Sequence, residues 1–140
     1  MQNPQCIRIL VADDNVINQT LFAKMLSVIG VQADVVESGM HALEACQARS
    51  YDMVFMDYQM PGTDGVEAAR RIKEMNRSHQ PIIILITANL LINDYYLTHP
   101  GVVDGFLKKP FTLQELAGTI ERWQPFFAAH PSSNQDKNPD

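Results

Sequence analysis

The chain has 140 residues, the usual size of one domain and too few for two ordinary ones. Hydrophobic residues make up 46%, enough for a packed core, which excludes a chain that is disordered throughout. The 11 basic and 16 acidic residues give a net charge of −5, which disfavours direct nucleic-acid binding. The longest apolar runs fall far short of the roughly 20 residues of a membrane-spanning helix, so no membrane contact is expected. The two cysteines show neither disulfide nor metal spacing, which indicates reduced thiols in the cytoplasm.

The first half of the chain predicts two strands that alternate with two helices. Ile, Leu and Val crowd into residues 7–12, and apolar residues alternate with polar ones over 31–36, as in a strand near a sheet edge. Apolar residues at i+4 spacing, Ile17, Leu21 and Met25, predict an amphipathic helix over 15–29. A second helix is predicted over 39–49, with Ser38 in the capping position.

The second half predicts three more strands. A third strand over 53–56 ends at Asp57. The run over 82–86 is the most hydrophobic of the chain, which predicts a central strand that is covered on both faces. Residues 105–108 form a short fifth strand, so that all five strands are separated by helical or loop-forming segments.

Two further helices are predicted in this half. One follows the third strand, and its basic run is expected to face solvent. The other opens with a capping box at Thr112 and Glu115 and is expected to end at Pro125. The inward-facing residues are expected to be Val66, Ala69 and Ile72 in the first of these helices and Leu113, Leu116, Ile120 and Trp123 in the second; the basic run is Arg70, Arg71 and Lys73.

Strands that alternate with helices predict an α/β fold with a parallel sheet and helices on both faces. The second strand alternates apolar with polar residues, as at a sheet edge, and the fourth strand is apolar throughout, as in a sheet centre. This difference favours the doubly wound, flavodoxin-like strand order 2-1-3-4-5. The folded domain is expected to cover residues 6–124. Residues 1–5 form a short N-terminal extension, and residues 125–140 form a polar tail or linker.

Polar and charged residues stand at the carboxyl ends of four predicted strands. Asp13 and Asp14 follow the first strand, Asp57 ends the third, Thr87 ends the fourth and Lys109 follows the fifth. In such folds ligands bind beyond these strand ends. Three carboxylates held close together repel one another, and a bound hard cation such as Mg²⁺ offsets this repulsion. A lysine and a hydroxyl beside the cation then suit phosphoryl transfer to a carboxylate.

Each of these residues also has an ordinary structural interpretation. An acidic pair at the start of a helix often serves as a cap, and an aspartate before a turn is commonly a turn residue. A threonine after an apolar strand or a lysine before a proline is unremarkable alone. The prediction of a site therefore depends on all of them falling on the same edge of the sheet.

Four segments resemble the receiver domain of two-component response regulators over residues 6–124. The start of the first helix, through Asn18, further resembles receivers attached to hybrid sensor histidine kinases. The segments are Val11-Ala12-Asp13-Asp14-Asn15, Met56-Asp57-Tyr58-Gln59-Met60-Pro61-Gly62-Thr63-Asp64-Gly65, Ile86-Thr87-Ala88-Asn89 and Lys109-Pro110-Phe111.

The resemblance implies a role for each site residue. Asp57 would accept a phosphoryl group from a histidine kinase or a histidine phosphotransfer domain. Asp14 and Asp57 would bind Mg²⁺ directly, Asp13 would bind it through water, and the backbone carbonyl of Gln59 would complete the set. Lys109 would pair with the phosphoryl group, and the bond to Pro110 would be cis. Thr87 and the aromatic Phe106 would change position on phosphorylation, which makes the domain a regulatory switch rather than an enzyme.

Three other functions remain to be weighed. A magnesium-dependent aspartyl-phosphate phosphatase or phosphotransferase usually carries a second aspartate two residues after the nucleophile, where this chain has Gln59. A nucleotide or flavin module would cradle phosphate in its first loop, where this chain has Asp13 and Asp14. A degenerate receiver that only binds partners is not favoured, since the key residues are all present.

The segment from Leu90 to Pro100 is unusually apolar and carries only one charge, Asp94. One interpretation is a short distorted helix packed on the sheet. The other is an apolar face, shared with the fifth strand and the last helix, for self-association or an output partner. Burial of Leu91, Tyr95 and Tyr96 together would exclude the second interpretation.

Overall fold

A parallel sheet forms the centre of the protein, whose computed structural model describes residues 7–58, 65–75, 80–88 and 101–128. The strand order is β2-β1-β3-β4-β5, and every neighbouring pair is parallel. This order confirms the predicted doubly wound fold, with the second strand at one edge and the fourth inside. The strands are β1 (Ile9–Ala12), β2 (Ala33–Val36), β3 (Met53–Asp57), β4 (Ile82–Thr87) and β5 (Gly105–Lys108).

Helices occupy the predicted places between and after these strands. Asn15 and Ser38 cap the first two, because their side chains accept hydrogen bonds from the N–H groups of Asn18 and His41. Gly30 follows the first helix with a φ of 103°, a left-handed conformation that favours glycine. In the described ranges the helices are α1 (Val16–Ile29), α2 (Gly39–Ala48), α3 (Gly65–Glu74) and α4 (Leu113–Ala128).

Alternating side chains of the inner strands divide the core into two halves. Val11 faces the side covered by α1 and α4, where it packs with Phe22 and Leu116. Ala12 faces the other side, which α2 and α3 cover with residues such as Ile72. Because both faces of the sheet are covered, the ends of its strands remain the places where polar side chains can meet.

The last helix corrects two predictions. Its capping box forms as expected, since the Glu115 N–H lies 3.0 Å from the Thr112 hydroxyl and the Thr112 N–H lies 2.9 Å from the Glu115 carboxylate. The helix does not end at Pro125 but continues through it to Ala128. An interior proline costs about 3 kcal/mol, and burial of Phe127 returns about 1.5–3 kcal/mol. The helix therefore runs beyond residue 124. Leu113, expected to face inward, is exposed.

The basic run on α3 is only partly solvated, which corrects a further prediction. Arg70 and Arg71 lie on the surface and pair with Glu67. Lys73 instead lies with its ammonium nitrogen 2.7 Å from the Asp104 carboxylate, and only 17% of its side chain is exposed. This ion pair ties α3 to the residue that precedes β5.

Several expectations fall outside the residues that the structure describes. They include the whole segment from Leu90 to Pro100 and the first cysteine, Cys6. The second cysteine, Cys46, is buried. Within the described ranges, no helix has the length and apolar character that would let it cross a bilayer.

Candidate functional site

The predicted carboxylates meet at the carboxyl-terminal edge of the sheet. Asp13 and Asp14 follow β1, and Asp57 is the last residue of β3, the strand next to it. One carboxylate oxygen from each of the three lies within 4.8 Å of the other two. Asp13 and Asp57 are buried, at 5% and 4% exposure, whereas Asp14 is open to solvent. Two of the three carboxylates thus lie inside the protein, and the third faces solvent, from which a ligand can reach the cluster.

Backbone hydrogen bonds hold the loop that carries the first two aspartates. The Asp13 N–H donates to the carbonyl of Val36, 3.1 Å away, which extends the contact between β1 and β2 by one residue. The Asn15 N–H donates to Asp13 Oδ1 at 2.9 Å. The Gln19 side chain donates to the Asp13 carbonyl at 2.6 Å. These bonds fix the point at which the chain leaves β1 and enters α1.

Close packing of α3 fixes the strand end that carries Asp57. The N–H that follows it, on Tyr58, donates to the carbonyl of Ile86 at 2.8 Å, which continues the pairing of β3 with β4. The first residue of α3, Gly65, approaches so closely that a Cβ there would clash with the Asp57 carbonyl oxygen. Only glycine fits this position without moving the helix or the strand end.

The predicted lysine and threonine lie on the other side of Asp57. Lys109 Nζ is 3.2 Å from Asp57 Oδ1, and the lysine side chain is 31% exposed. The Lys109 N–H donates to the carbonyl of Thr87 at 2.9 Å, so the ends of β4 and β5 are joined at the site. Thr87 is buried at the end of β4. The peptide bond between Lys109 and Pro110 is cis, as expected.

Three carboxylates and one ammonium group give this edge an excess of negative charge. The oxygen atoms form a hard donor set, which suits Mg²⁺ or another hard divalent cation. A divalent cation held there, together with the Lys109 ammonium, would give a pocket in which the charges of the three carboxylates are balanced. Such a pocket can bind phosphoryl oxygens and neutralise the charge that builds up during phosphoryl transfer.

Of the two remaining predicted site residues, Phe106 and Gln59, the structure describes only Phe106. Phe106 lies on β5 and is half buried against the side of the core that α2 and α3 cover. It pairs in register with Leu85 of β4, two residues before Thr87. Gln59, the predicted carbonyl ligand, lies outside the described part of the chain.

A five-stranded doubly wound sheet with an acidic, lysine-bearing pocket at its carboxyl edge defines a class of phosphoacceptor proteins. Residues 9–121, most of the chain, match the family described as the response regulator receiver domain. The chain belongs to this family and is a receiver domain of two-component phosphorelay signalling.

Relatives of known name agree with this assignment. Hybrid signal transduction histidine kinase K of Dictyostelium discoideum is 36% identical over 123 residues, which cover 83% of this chain and 10% of that protein. The chain therefore spans about a tenth of the length of this curated relative. The resemblance to receivers of hybrid kinases is thus confirmed.

Two solved structures share the fold and bear on the site. The receiver domain of sensor histidine kinase PA1611 from Pseudomonas aeruginosa PAO1, with a magnesium ion coordinated in its active site cleft, is 32% identical. Its TM-score is 0.75, and the match covers 84% of this chain and 96% of that one. The Saccharomyces cerevisiae receiver domain of Ssk1, crystallised with the histidine phosphotransfer protein Ypd1, is 25% identical with a TM-score of 0.78. That match covers 91% of this chain and 94% of the other.

The sequence reasoning missed two residues that shape the site. Gln19 bonds to the loop of the acidic pair, and Gly65 allows α3 to pack against Asp57. Helical spacing could have drawn attention to Gln19, since side chains in an α-helix lean back toward the N-terminus. The close approach of Gly65 to β3 depends on tertiary packing, which no local sequence signal shows.

Proposed function

We propose that Asp57 of this chain accepts a phosphoryl group from a phosphohistidine. A carboxylate oxygen of Asp57 forms a bond to phosphorus as the bond from phosphorus to the histidine nitrogen breaks, and the electron pair of that bond stays on the imidazole. Lys109, whose ammonium nitrogen lies 3.2 Å from the same carboxylate, would pair with the transferred group. Thr87, at the end of the neighbouring strand, would donate its hydroxyl hydrogen to a phosphoryl oxygen.

In this proposal Asp14 and Asp57 bind Mg²⁺ directly, and Asp13 binds it through water. Their oxygens form the acidic cluster, and the PA1611 receiver has a magnesium ion in its active site cleft. The bound ion would neutralise carboxylate charge and attract phosphoryl oxygens. The backbone carbonyl of Gln59 stays a predicted further ligand.

The observation that carries the proposal is the convergence of three carboxylates and Lys109 from distant parts of the sequence. The alternative of a phosphatase or phosphotransferase with a separate substrate is less well supported, because that chemistry uses a second acid two residues after the nucleophile. This chain has Gln59 there. We therefore propose a regulatory phosphoacceptor that assists only its own phosphorylation and dephosphorylation.

An exposed apolar surface beside the site supports docking of a protein donor. Val16, Ile17 and Leu21 on the first turns of α1 are 70%, 77% and 57% exposed. They follow directly on the acidic loop, so a protein that covered them would also reach Asp57. Large exposed apolar residues that cluster in this way mark interaction sites. The proposed donor is a histidine kinase or a histidine phosphotransfer domain, the class of protein with which the Ssk1 receiver was crystallised.

The response to phosphorylation is proposed to run through Thr87 and Phe106 to the edge of the sheet. A groove of about 560 Å³ lies between β5 and α4, and Phe106, Lys108 and Arg122 are among its lining residues. A shift of Phe106 would change this groove, which supports the predicted role of β5 and the last helix in self-association or in contact with an output partner. The predicted share of Leu90 to Pro100 in this face lies outside the described residues.

The proposed location is the cytoplasm. The expectation rests on cysteines that lack the spacing of a disulfide framework. The buried Cys46, which is not in a disulfide, is consistent with it.

Phosphorylation by a small phosphodonor tests the proposal directly. Incubation with acetyl phosphate and Mg²⁺ should add one acid-stable, base-labile phosphoryl group by intact mass, and chelation of the metal should prevent it. Asp57→Asn should abolish the adduct, whereas Asp34→Asn, a change at an aspartate on β2, should leave it unchanged. An adduct that persists in the Asp57 variant would overturn the assignment, and rapid turnover of a small phosphate ester would favour the enzyme instead.

A further inference from the structure

The side chain of Gln19 reaches back from α1 to the loop that carries the acidic pair. Its Nε2 atom lies 2.6 Å from the backbone carbonyl oxygen of Asp13. Gln19 is itself fixed in the helix, because its N–H donates to the carbonyl of Asn15 at 2.9 Å. The side chain is half buried, so water competes only partly for the same carbonyl.

Asp13 is held at three of its atoms by other parts of the chain. Its N–H donates to the carbonyl of Val36, and its Oδ1 accepts from the N–H of Asn15. The first of these bonds joins two backbone groups, and the second ends on the Asp13 carboxylate, which is itself a member of the acidic cluster. The third bond, to the Asp13 carbonyl, comes from the Gln19 side chain and can be deleted by changing one residue.

The third bond also orients Asp14. The peptide unit between Asp13 and Asp14 is planar, so fixing the Asp13 carbonyl fixes the Asp14 N–H on the opposite side. That plane, together with the φ of Asp14, sets the direction in which the Asp14 side chain leaves the backbone. Asp14 is the exposed member of the acidic cluster and has less packing around it than the two buried members. Its carboxylate therefore depends most on the conformation of the loop.

We propose that Gln19 is a positioning residue for the cation site: its amide holds the Asp13–Asp14 peptide so that both carboxylates point toward Asp57. Gln19 does not contact the cation. The inference rests on the proposed function, since it assumes that the cluster binds Mg²⁺. Groups that orient metal ligands in this way commonly change metal affinity tenfold or more when they are removed.

Substitution of Gln19 by methionine tests this role, because methionine keeps the length and helix propensity of glutamine but has no N–H donor. We expect Gln19→Met to weaken Mg²⁺ binding about tenfold by titration calorimetry. The increase in thermal midpoint on addition of Mg²⁺ should shrink accordingly. Gln114→Met, on the exposed first turn of α4, is the matched control and should bind Mg²⁺ like the parent chain.

Amide hydrogen exchange in the metal-free protein provides a second measurement. Loss of the Gln19 bond should speed exchange at Asp14 and Asn15 while exchange in β3 and β4 stays unchanged. A purely structural role would instead lower the thermal midpoint equally with and without Mg²⁺. Unchanged Mg²⁺ affinity in Gln19→Met, or unchanged exchange in the loop, overturns the inference. If the parent chain itself binds no Mg²⁺, the proposed function fails first, so the two failures are distinguishable.

Discussion

Aspartates stand at both ends of the sheet, but the two ends use them differently. At the amino-terminal edge, Asp52 precedes β3 and accepts the Arg8 N–H at 2.9 Å. Asp104 precedes β5 and accepts both the Ile83 N–H at 2.8 Å and the Lys73 ammonium at 2.7 Å. Each of these two carboxylates accepts hydrogen bonds from its own donors and does not face the other carboxylate.

At the carboxyl-terminal edge the aspartates face one another instead. Asp13, Asp14 and Asp57 bring their oxygens within 4.8 Å, and Lys109 supplies the positive charge beside them. Mutual repulsion makes this arrangement costly without a cation, whereas the pairs at the amino-terminal edge stabilise the fold. The comparison shows that burial of an aspartate does not by itself indicate function; its neighbours do.

The largest expected difference between the two edges is in metal binding. Asp14→Asn should weaken Mg²⁺ binding about 100-fold, or ~2.7 kcal/mol, because it removes one carboxylate charge from the proposed cation site. It should not destabilise the metal-free protein, since it relieves repulsion. Asp104→Asn should leave Mg²⁺ affinity unchanged and lower stability by about 1–3 kcal/mol. Calorimetry and urea unfolding in chelator measure the two effects, and equal losses of affinity would contradict the distinction.

Two glycines test how tightly the carboxyl-terminal edge is built. Gly65→Ala should destabilise the protein by about 1–3 kcal/mol and slow phosphorylation, because the new Cβ meets the Asp57 carbonyl. Gly118 is also in a helix, but a Cβ there meets nothing within 4 Å. Gly118→Ala should therefore stabilise by about 0.5–1 kcal/mol without changing phosphorylation. Urea unfolding and the rate with acetyl phosphate check both, and a harmless Gly65→Ala would contradict the close packing.

Two lysines form ion pairs, one at each edge. Lys109→Met should slow phosphorylation of Asp57 at least tenfold, or about 1.4 kcal/mol, because it removes the positive charge beside Asp57 that is proposed to pair with the phosphoryl group. Lys73→Met should leave this rate unchanged and cost about 1 kcal/mol of stability, since Asp104 keeps its bond from the Ile83 N–H. Intact mass at timed intervals measures the rate. Equal rates in the two variants would remove Lys109 from the mechanism.

The smallest expected effect concerns Tyr51, beside β2 and β3. Burial, and then the hydrogen bond that its hydroxyl donates to Asp34, raise the pKa of Tyr51. A tyrosine in the unfolded chain ionises near pH 10, a pH at which Tyr51 in the folded protein is still neutral. Stability should therefore fall as the pH rises above about 10, and Tyr51→Phe should remove part of this fall. Urea unfolding at pH 8 and in the alkaline range, about pH 10–11, measures it; a constant difference between the two proteins would contradict the raised pKa.

Most of the fold and of the central site could be predicted because strand ends are visible in a sequence. Apolar runs located the strands, and Asp57, Thr87 and Lys109 each mark the point where a run stops. In a parallel sheet these points share one edge, so their convergence follows from topology. The resemblance of the motifs suggests a role for each of these residues. It also predicts the cis peptide bond before Pro110, which the structure contains.

The remaining features depend on tertiary contacts that periodicity does not show. The end of α4 was mispredicted because the penalty of Pro125 is local, whereas the burial of Phe127 that offsets it is a contact with the rest of the core. Lys73 looked solvated because its partner, Asp104, is 31 residues away. Gly65 matters through a contact with another element that no local pattern reveals.

Mapping the phosphorylated residue tests the central claim most directly. After incubation with acetyl phosphate and Mg²⁺, borohydride reduction of the acyl phosphate marks the modified aspartate, and peptide mass analysis locates it. The account predicts a mark on Asp57 alone and none on Asp52 or Asp104. A mark on an aspartate of the amino-terminal edge, or equal marking when Mg²⁺ is withheld, would contradict it.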